Sequence, residues 1–284
     1  MADNETQPNS REILTRPGPP ADHRLAYGPD PEQFGDLRLP KGATGDGPFP
    51  VVVVIHGGCW RAMHSLDYMG HVCADLTAAG VATWNIEYRR LGQEGGGWPG
   101  TYLDVAAAID HLRELARQYP LDLRRVVVTG HSAGGHLALW AAGRRQVPHG
   151  SLVHQDDPLP LSGVVPLAGL TDLTLSGTAC DEEAPRMRGA DDTLNQTSPI
   201  AMLPLGLPVV IIQGEDDQPV PPAQATTYVA AAERSGDRPR LCLLPQTDHF
   251  VIVDPHSSVW PRIKTEILHL LADQDPQRDG AFSH

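Results

Sequence analysis

Basic residues are in short supply. Across 284 residues, 22 Lys and Arg face 35 Asp and Glu, for a formal net charge of −13. That excludes general nucleic-acid binding, which needs a basic face. Long hydrophobic runs are missing too. No stretch approaches the roughly 18 consecutive apolar residues of a membrane helix, so no membrane partner is expected. The first thirty residues are polar and Pro-rich, without the basic-then-apolar pattern of a secretory signal. Cysteine is scarce and scattered: Cys59, Cys73, Cys180 and Cys242 show no C-x-x-C spacing. In a long chain of this kind the pattern reads as free buried thiols in a cytoplasmic protein. Thirteen His are present, but no H-E-x-x-H and no Cys/His cluster at ligand spacing, so neither a metal nor a cofactor is expected.

What is present describes a soluble globular protein, with 40% hydrophobic and 20% charged residues. The length fits one large α/β domain; a homodimer stays open. Residues 1–28 read as a flexible arm or a surface-hugging lead-in, and 273–284 as a disordered tail. Between them, strand and helix patterns alternate. Strands are expected at Gln33–Leu39, Val51–Ile55, Val81–Tyr88, Arg125–Thr129, Leu161–Leu167, Pro208–Gln213 and Arg240–Leu244. Helices are expected at Leu66–Ala79, Tyr102–Gln118, Ala133–Ala142, Pro222–Ser235 and Val259–Ala272. The β-branched run Val51–Ile55 suits a strand buried on both faces. Such alternation predicts a mostly parallel sheet with helices on both faces, and a ligand at the strand C-termini. Residues 169–206 lack a long apolar pattern and read as a small irregular cap beside the site.

The chemistry concentrates at Gly130-His131-Ser132-Ala133-Gly134, a G-x-S-x-G run between a strand and a small-residue helix. A serine there sits on a tight strand-to-helix turn with its hydroxyl exposed above the sheet. It needs a histidine base oriented by an acid, and in this architecture the chain order is Ser, acid, His. Asp217 follows the strand ending at Gln213 and is the chosen acid; Glu215 and Asp216 are its neighbours and rivals. His249 lies in the loop after the last strand and is the chosen base, with His256 as the rival. Oxyanion donors are expected from the Ala133 N–H and from Gly58 and Cys59 in the loop His56-Gly57-Gly58-Cys59-Trp60. His56 is expected to brace that loop, and Glu87 with Arg89 or Arg90 to form a structural pair. Trp60 and Met63 are expected to line the pocket; Trp98 either walls the site or caps the core.

Together these motifs resemble the α/β-hydrolase superfamily over roughly residues 30–272. Residues 56–60 resemble the HGGxW signature of the arylformamidase (kynurenine formamidase) group and its esterase relatives. Hormone-sensitive-type lipases carry HGGG, where this chain has Cys59. The resemblance implies an α/β-hydrolase fold and a serine hydrolase that cleaves a small carboxylic ester through a Ser-His-Asp triad and an acyl-enzyme. Two alternatives are an arylformamidase acting on N-formylkynurenine and a non-catalytic binding protein on a hydrolase scaffold.

Overall fold

The computed structural model describes residues 10–41, 47–190 and 193–272. Its strands are β1 His23–Ala26, β2 Phe34–Arg38, β3 Phe49–Ile55, β4 Ala82–Ile86, β5 Leu121–His131, β6 Gly163–Leu167, β7 Val210–Gly214 and β8 Arg240–Leu244. They form one sheet in the order β1-β2-β4-β3-β5-β6-β7-β8. The β2 strand runs antiparallel to both neighbours, and the other pairs are parallel. The helices are α1 Gly70–Ala78, α2 Gly100–Asp110, α3 Leu112–Leu115, α4 Ala133–Gly143, α5 Ala184–Arg188, α6 Leu194–Thr197, α7 Ala223–Arg234 and α8 Trp260–Ala272.

The pleat of β3 explains the two-sided core. Val51, Val53 and Ile55 enter one hydrophobic cluster, while Val52 and Val54 enter the other. Successive strand residues point to opposite faces, so an unbroken β-branched run must be covered twice. Ile109 of α2, Leu137 and Trp140 of α4, and Tyr228 of α7 cover the first face. Val72 and Leu76 of α1, with Ile263 and Ile267 of α8, cover the second. Among the described residues, no helix is long and apolar enough to cross a membrane.

Several expectations change in detail. The helix expected at Leu66–Ala79 opens with a 3₁₀ turn, Leu66–Met69, before α1. The one expected at Tyr102–Gln118 divides into α2 and α3. The described part of the arm packs against the body of the domain, as a surface-hugging lead-in would. Ser10–Leu14 forms a 3₁₀ turn that buries Ile13 completely. Arg16 holds both carboxylate oxygens of Asp254 at 3.0 and 3.1 Å, and the Ser10 hydroxyl donates to Asp248 at 2.5 Å. Residues 1–9 and the tail 273–284 lie outside the described residues.

The free-thiol expectation is corrected for two of four cysteines. Cys59 and Cys180 form a disulfide, whereas Cys73 and Cys242 are free and buried. The cap segment folds back over the loop after β3, which brings these two Cα atoms to 5.2 Å across 121 residues of sequence. That separation lies within the range disulfides span. Arg61 and Glu183 pair at 2.6 Å beside it. The cap itself is built of short pieces: α5, α6 and a 3₁₀ turn at Pro199–Met202.

Candidate active site

The turn between β5 and α4 carries Ser132 at φ 57° and ψ −119°. A left-handed φ on a non-glycine residue is strained and persists only where its surroundings fix it. Here the Ser132 N–H donates to the Leu167 carbonyl at 2.8 Å, tying the turn to β6. Close backbone approach does the rest. A Cβ on Gly130 would lie 2.2 Å from the Gly134 carbonyl oxygen, and one on Gly134 would lie 2.1 Å from that of Ile55. Neither contact is physically possible, so both positions must be glycine.

Asp217 sits just past β7 and is 2% exposed; His249 sits past β8 and is 3% exposed. The His249 Nδ1–H donates to Asp217 Oδ2 at 2.7 Å. The Val220 N–H and the Gln213 side-chain amide donate to the same carboxylate at 2.8 and 3.1 Å. These bonds fix the carboxylate and hold the ring with Nε2 turned away from it. Glu215, Asp216 and His256 are exposed. Ser132 and His249 line one cavity of about 320 Å³, whose wall also includes Gly58 and Cys59. No hydrogen bond joins the Ser132 hydroxyl to His249 among the described residues, a spacing common before substrate closes such a site.

The loop after β3 turns through three successive positive-φ residues: Gly58 at 103°, Cys59 at 50° and Trp60 at 55°. Among the described residues, the backbone N–H groups of Gly58, Cys59 and Ala133 donate to no protein acceptor, whereas that of Gly57 donates to the Tyr68 hydroxyl at 2.6 Å. His56 anchors the loop from beneath. Its ring nitrogens lie 2.8 Å from the Gly57 carbonyl oxygen and 2.7 Å from Glu87 Oε1. Burial alone would raise the Glu87 pKa; the charges and hydrogen bonds of His56, with Arg90, outweigh it and hold the carboxyl below its usual range.

A BD-FAE family model matches residues 36–231. The chain belongs to the BD-FAE family. Esterase LipQ of Mycobacterium tuberculosis is 27% identical over 244 residues, covering 79% of this chain and 57% of that protein. The kynurenine formamidase-like hydrolase fscH of Fusarium equiseti is 25% identical over 222 residues, covering 66% and 71%. This chain spans about half the length of curated relatives such as LipQ. Esterase B from Lactobacillus rhamnosis superposes with a TM-score of 0.81 at 22% identity, over 96% of this chain and 92% of its own. That likeness shows the α/β-hydrolase fold.

In this BD-FAE family member, the expected pocket residues Trp60 and Met63 lie elsewhere, and Trp98 takes the core-capping one of its two readings. Trp60 is fully buried and stands edge-on to His136, because the positive-φ turn carries it into the core. Trp98 packs edge-on against Tyr102. Met63 is 78% exposed. The cavity wall is instead completed by Arg11, Leu14, His64, Tyr68, His131 and Phe250. Phe250 and His131 adjoin named residues in sequence, but nothing local marks Arg11, Leu14 or Tyr68. Glu87 pairs with Arg90 at 3.3 Å, and Arg89 pairs with Asp104 instead. A larger cavity, about 570 Å³, lies beneath residues 14–21 and contains none of Ser132, Asp217 or His249. Away from the site, ligand atoms of His149, His154 and Asp156 come within 4.8 Å of one another, the one such grouping among the described residues.

Proposed function

We propose that this chain is a serine hydrolase that cleaves small carboxylic esters through an acyl-enzyme on Ser132. The observation that carries this reading is the buried Asp217–His249 hydrogen bond of 2.7 Å on the cavity that Ser132 enters from its strained turn. His249 takes the Ser132 proton as the hydroxyl oxygen attacks the ester carbonyl. Asp217 keeps the ring oriented and stabilises the imidazolium. The unengaged N–H groups of Gly58, Cys59 and Ala133 receive the developing oxyanion, and losing one such donor typically lowers the rate by about 10²–10³. The leaving alcohol takes the proton from His249. Water then attacks the acyl carbon as His249 removes its proton, and His249 gives that proton to Ser132 Oγ as the acyl–oxygen bond breaks and the acid leaves.

A small substrate suits the cavity. Its volume of about 320 Å³ lies at the low end of the roughly 300–1,000 Å³ of ligand pockets. Relatives such as the esterase LipQ support an ester substrate. The likeness to a kynurenine formamidase-like hydrolase favours a second reading, cleavage of a formyl anilide by the same residues. The Cys59–Cys180 bond supports an oxidising compartment, where disulfides persist, over the cytosol first expected.

A paired assay tests the proposal: p-nitrophenyl acetate and butyrate against N-formylkynurenine, with Ser132→Ala as the blank. Ester turnover that vanishes in the blank supports the esterase. Formylkynurenine turnover well above the esters, with kcat/KM above about 10⁴ M⁻¹s⁻¹, supports the formamidase. Neither turnover, together with no fluorophosphonate labelling of Ser132, would leave only a binding protein.

A further inference from the structure

Three segments must keep register for the proposed reaction: the loop after β3, the turn at Ser132 and the loop bearing His249. One buried hydrogen-bond chain touches all three. The Gly57 N–H donates to the Tyr68 hydroxyl oxygen at 2.6 Å. Tyr68 Oη lies 2.9 Å from His131 Nδ1, and His131 Nε2 lies 2.9 Å from the His249 carbonyl oxygen. Tyr68 is 5% exposed and His131 1% exposed.

Only one arrangement of protons satisfies every member of this chain. A carbonyl oxygen can only accept, so His131 Nε2 carries the proton and donates to His249. The Tyr68 oxygen already accepts from Gly57, and its single proton goes to the unprotonated Nδ1 of His131. If Nδ1 were also protonated, the Tyr68 hydroxyl proton would be left buried with no acceptor. Burial, reinforced by neighbouring His249, pushes the His131 pKa well below the usual imidazole range, and burial holds Tyr68 protonated. The titratable groups facing His131 are Tyr68 and His249; the Phe250 ring, 5.8 Å away, carries no charge.

We infer that Tyr68 and His131 are positioning residues for the hydrolysis proposed above: their hydrogen-bond chain fixes the oxyanion loop against the base loop and keeps the ring beside His249 neutral. The inference rests on the serine-hydrolase reading. By engaging Gly57, Tyr68 leaves the next two amides, Gly58 and Cys59, to face the cavity. By donating to the His249 backbone, His131 sets the height of that loop over Ser132. Its ring centroid lies 4.5 Å from that of His249, so a proton on His131 would oppose the imidazolium that the reaction must form. Tyr68 prevents this by occupying the only nitrogen that could accept it.

Steady-state kinetics on p-nitrophenyl butyrate from pH 5 to 9 test the inference. Tyr68→Phe is expected to lower kcat by about ten- to a hundredfold, the range typical of a small misplacement at a site, with KM little changed. Its acid limb should broaden into two steps, because His131 Nδ1 is now free to take a second proton that the neighbouring His249 opposes. His131→Gln keeps an N–H for the His249 carbonyl and cannot take a proton. It should retain about tenfold more kcat than His131→Ala, and Tyr68→Phe/His131→Gln should return to a one-proton limb. Wild-type kcat and pH profile in Tyr68→Phe, or a lower kcat with an unaltered profile, would overturn the inference. Should Tyr68→Phe not fold, equal kcat in His131→Gln and His131→Ala would overturn it. A wild-type protein without ester turnover and without Ser132 labelling overturns the hydrolase reading and this inference together.

Discussion

Ser132, Asp217 and His249 act as a unit in the proposed reaction, so removing one removes most of what all three supply. Ser132→Ala and His249→Ala are each expected to lower kcat/KM on p-nitrophenyl butyrate by roughly 10⁴-fold or more, and the double variant by little more than either alone. Asp217→Asn should lose roughly 10³–10⁴-fold, because it leaves the ring in the wrong tautomer. Asp216→Asn is the control. Asp216 is exposed, so activity close to wild type is expected; a loss there equal to that of Asp217→Asn would move the acid. These positions are readable in sequence because each follows a strand at a distance the topology fixes. Tyr68 is not, since its partners Gly57 and His131 are 11 and 63 residues away. No local pattern encodes a hydrogen bond across that separation. Trp60 is misplaced for a related reason: it is read as lining the pocket because it follows the loop after β3, but its backbone turns at a φ of 55° and its side chain is fully buried in the core.

Long periodic elements survive translation from sequence to structure, and short anchored ones do not. The run at β3 announces itself, whereas Ser10–Leu14 is one 3₁₀ turn in a polar, Pro-rich stretch. Its order comes from elsewhere: Ile13 inserted in the core, and Arg16 and Ser10 bonded to Asp254 and Asp248 around the His249 loop. Arg11 and Leu14 of this turn wall the cavity. Ile13→Ala should therefore destabilise the protein by about 2–5 kcal/mol, the usual range for emptying a core site. It should also relax substrate choice, raising activity on longer p-nitrophenyl acyl chains relative to acetate. Thermal unfolding and an acyl-length series measure both. An unchanged chain-length profile with a lowered Tm would mean that the turn supports the fold without limiting the pocket.

At the scale of the whole molecule, two features tie stability to conditions. The first is the Cys59–Cys180 bond. Sequence spacing alone cannot reveal it, because the partners meet only once the cap folds over the loop after β3. It closes a span of 121 residues, for which chain entropy gives about 5 kcal/mol. Reduction, or Cys180→Ser, should lower Tm by several degrees, and equal melting with and without a phosphine reductant would show the bond open in solution. The second is buried histidine. Burial pushes His136 down to about 4, against a weaker opposing pull from its bond to the Thr197 carbonyl. A histidine neutral when folded and charged when unfolded makes the unfolded chain bind the extra proton between those two values. Stability from this group is therefore complete above the ordinary histidine range, near pH 6.5, and is lost as pH falls toward 4. Across that interval the loss amounts to about 3 kcal/mol, and His131 acts in the same direction. Urea denaturation at pH 7.5 and pH 5 should show wild type losing more stability on acidification than His136→Gln, which cannot titrate. Carboxylates held low, such as Asp122 and Asp254, lose their contribution only at more acidic pH, so the window from 6.5 to 5 isolates the histidines. Equal losses in the two proteins there would mean that His136 is solvated, and that the packing of α4 against α6 is looser than the structure describes.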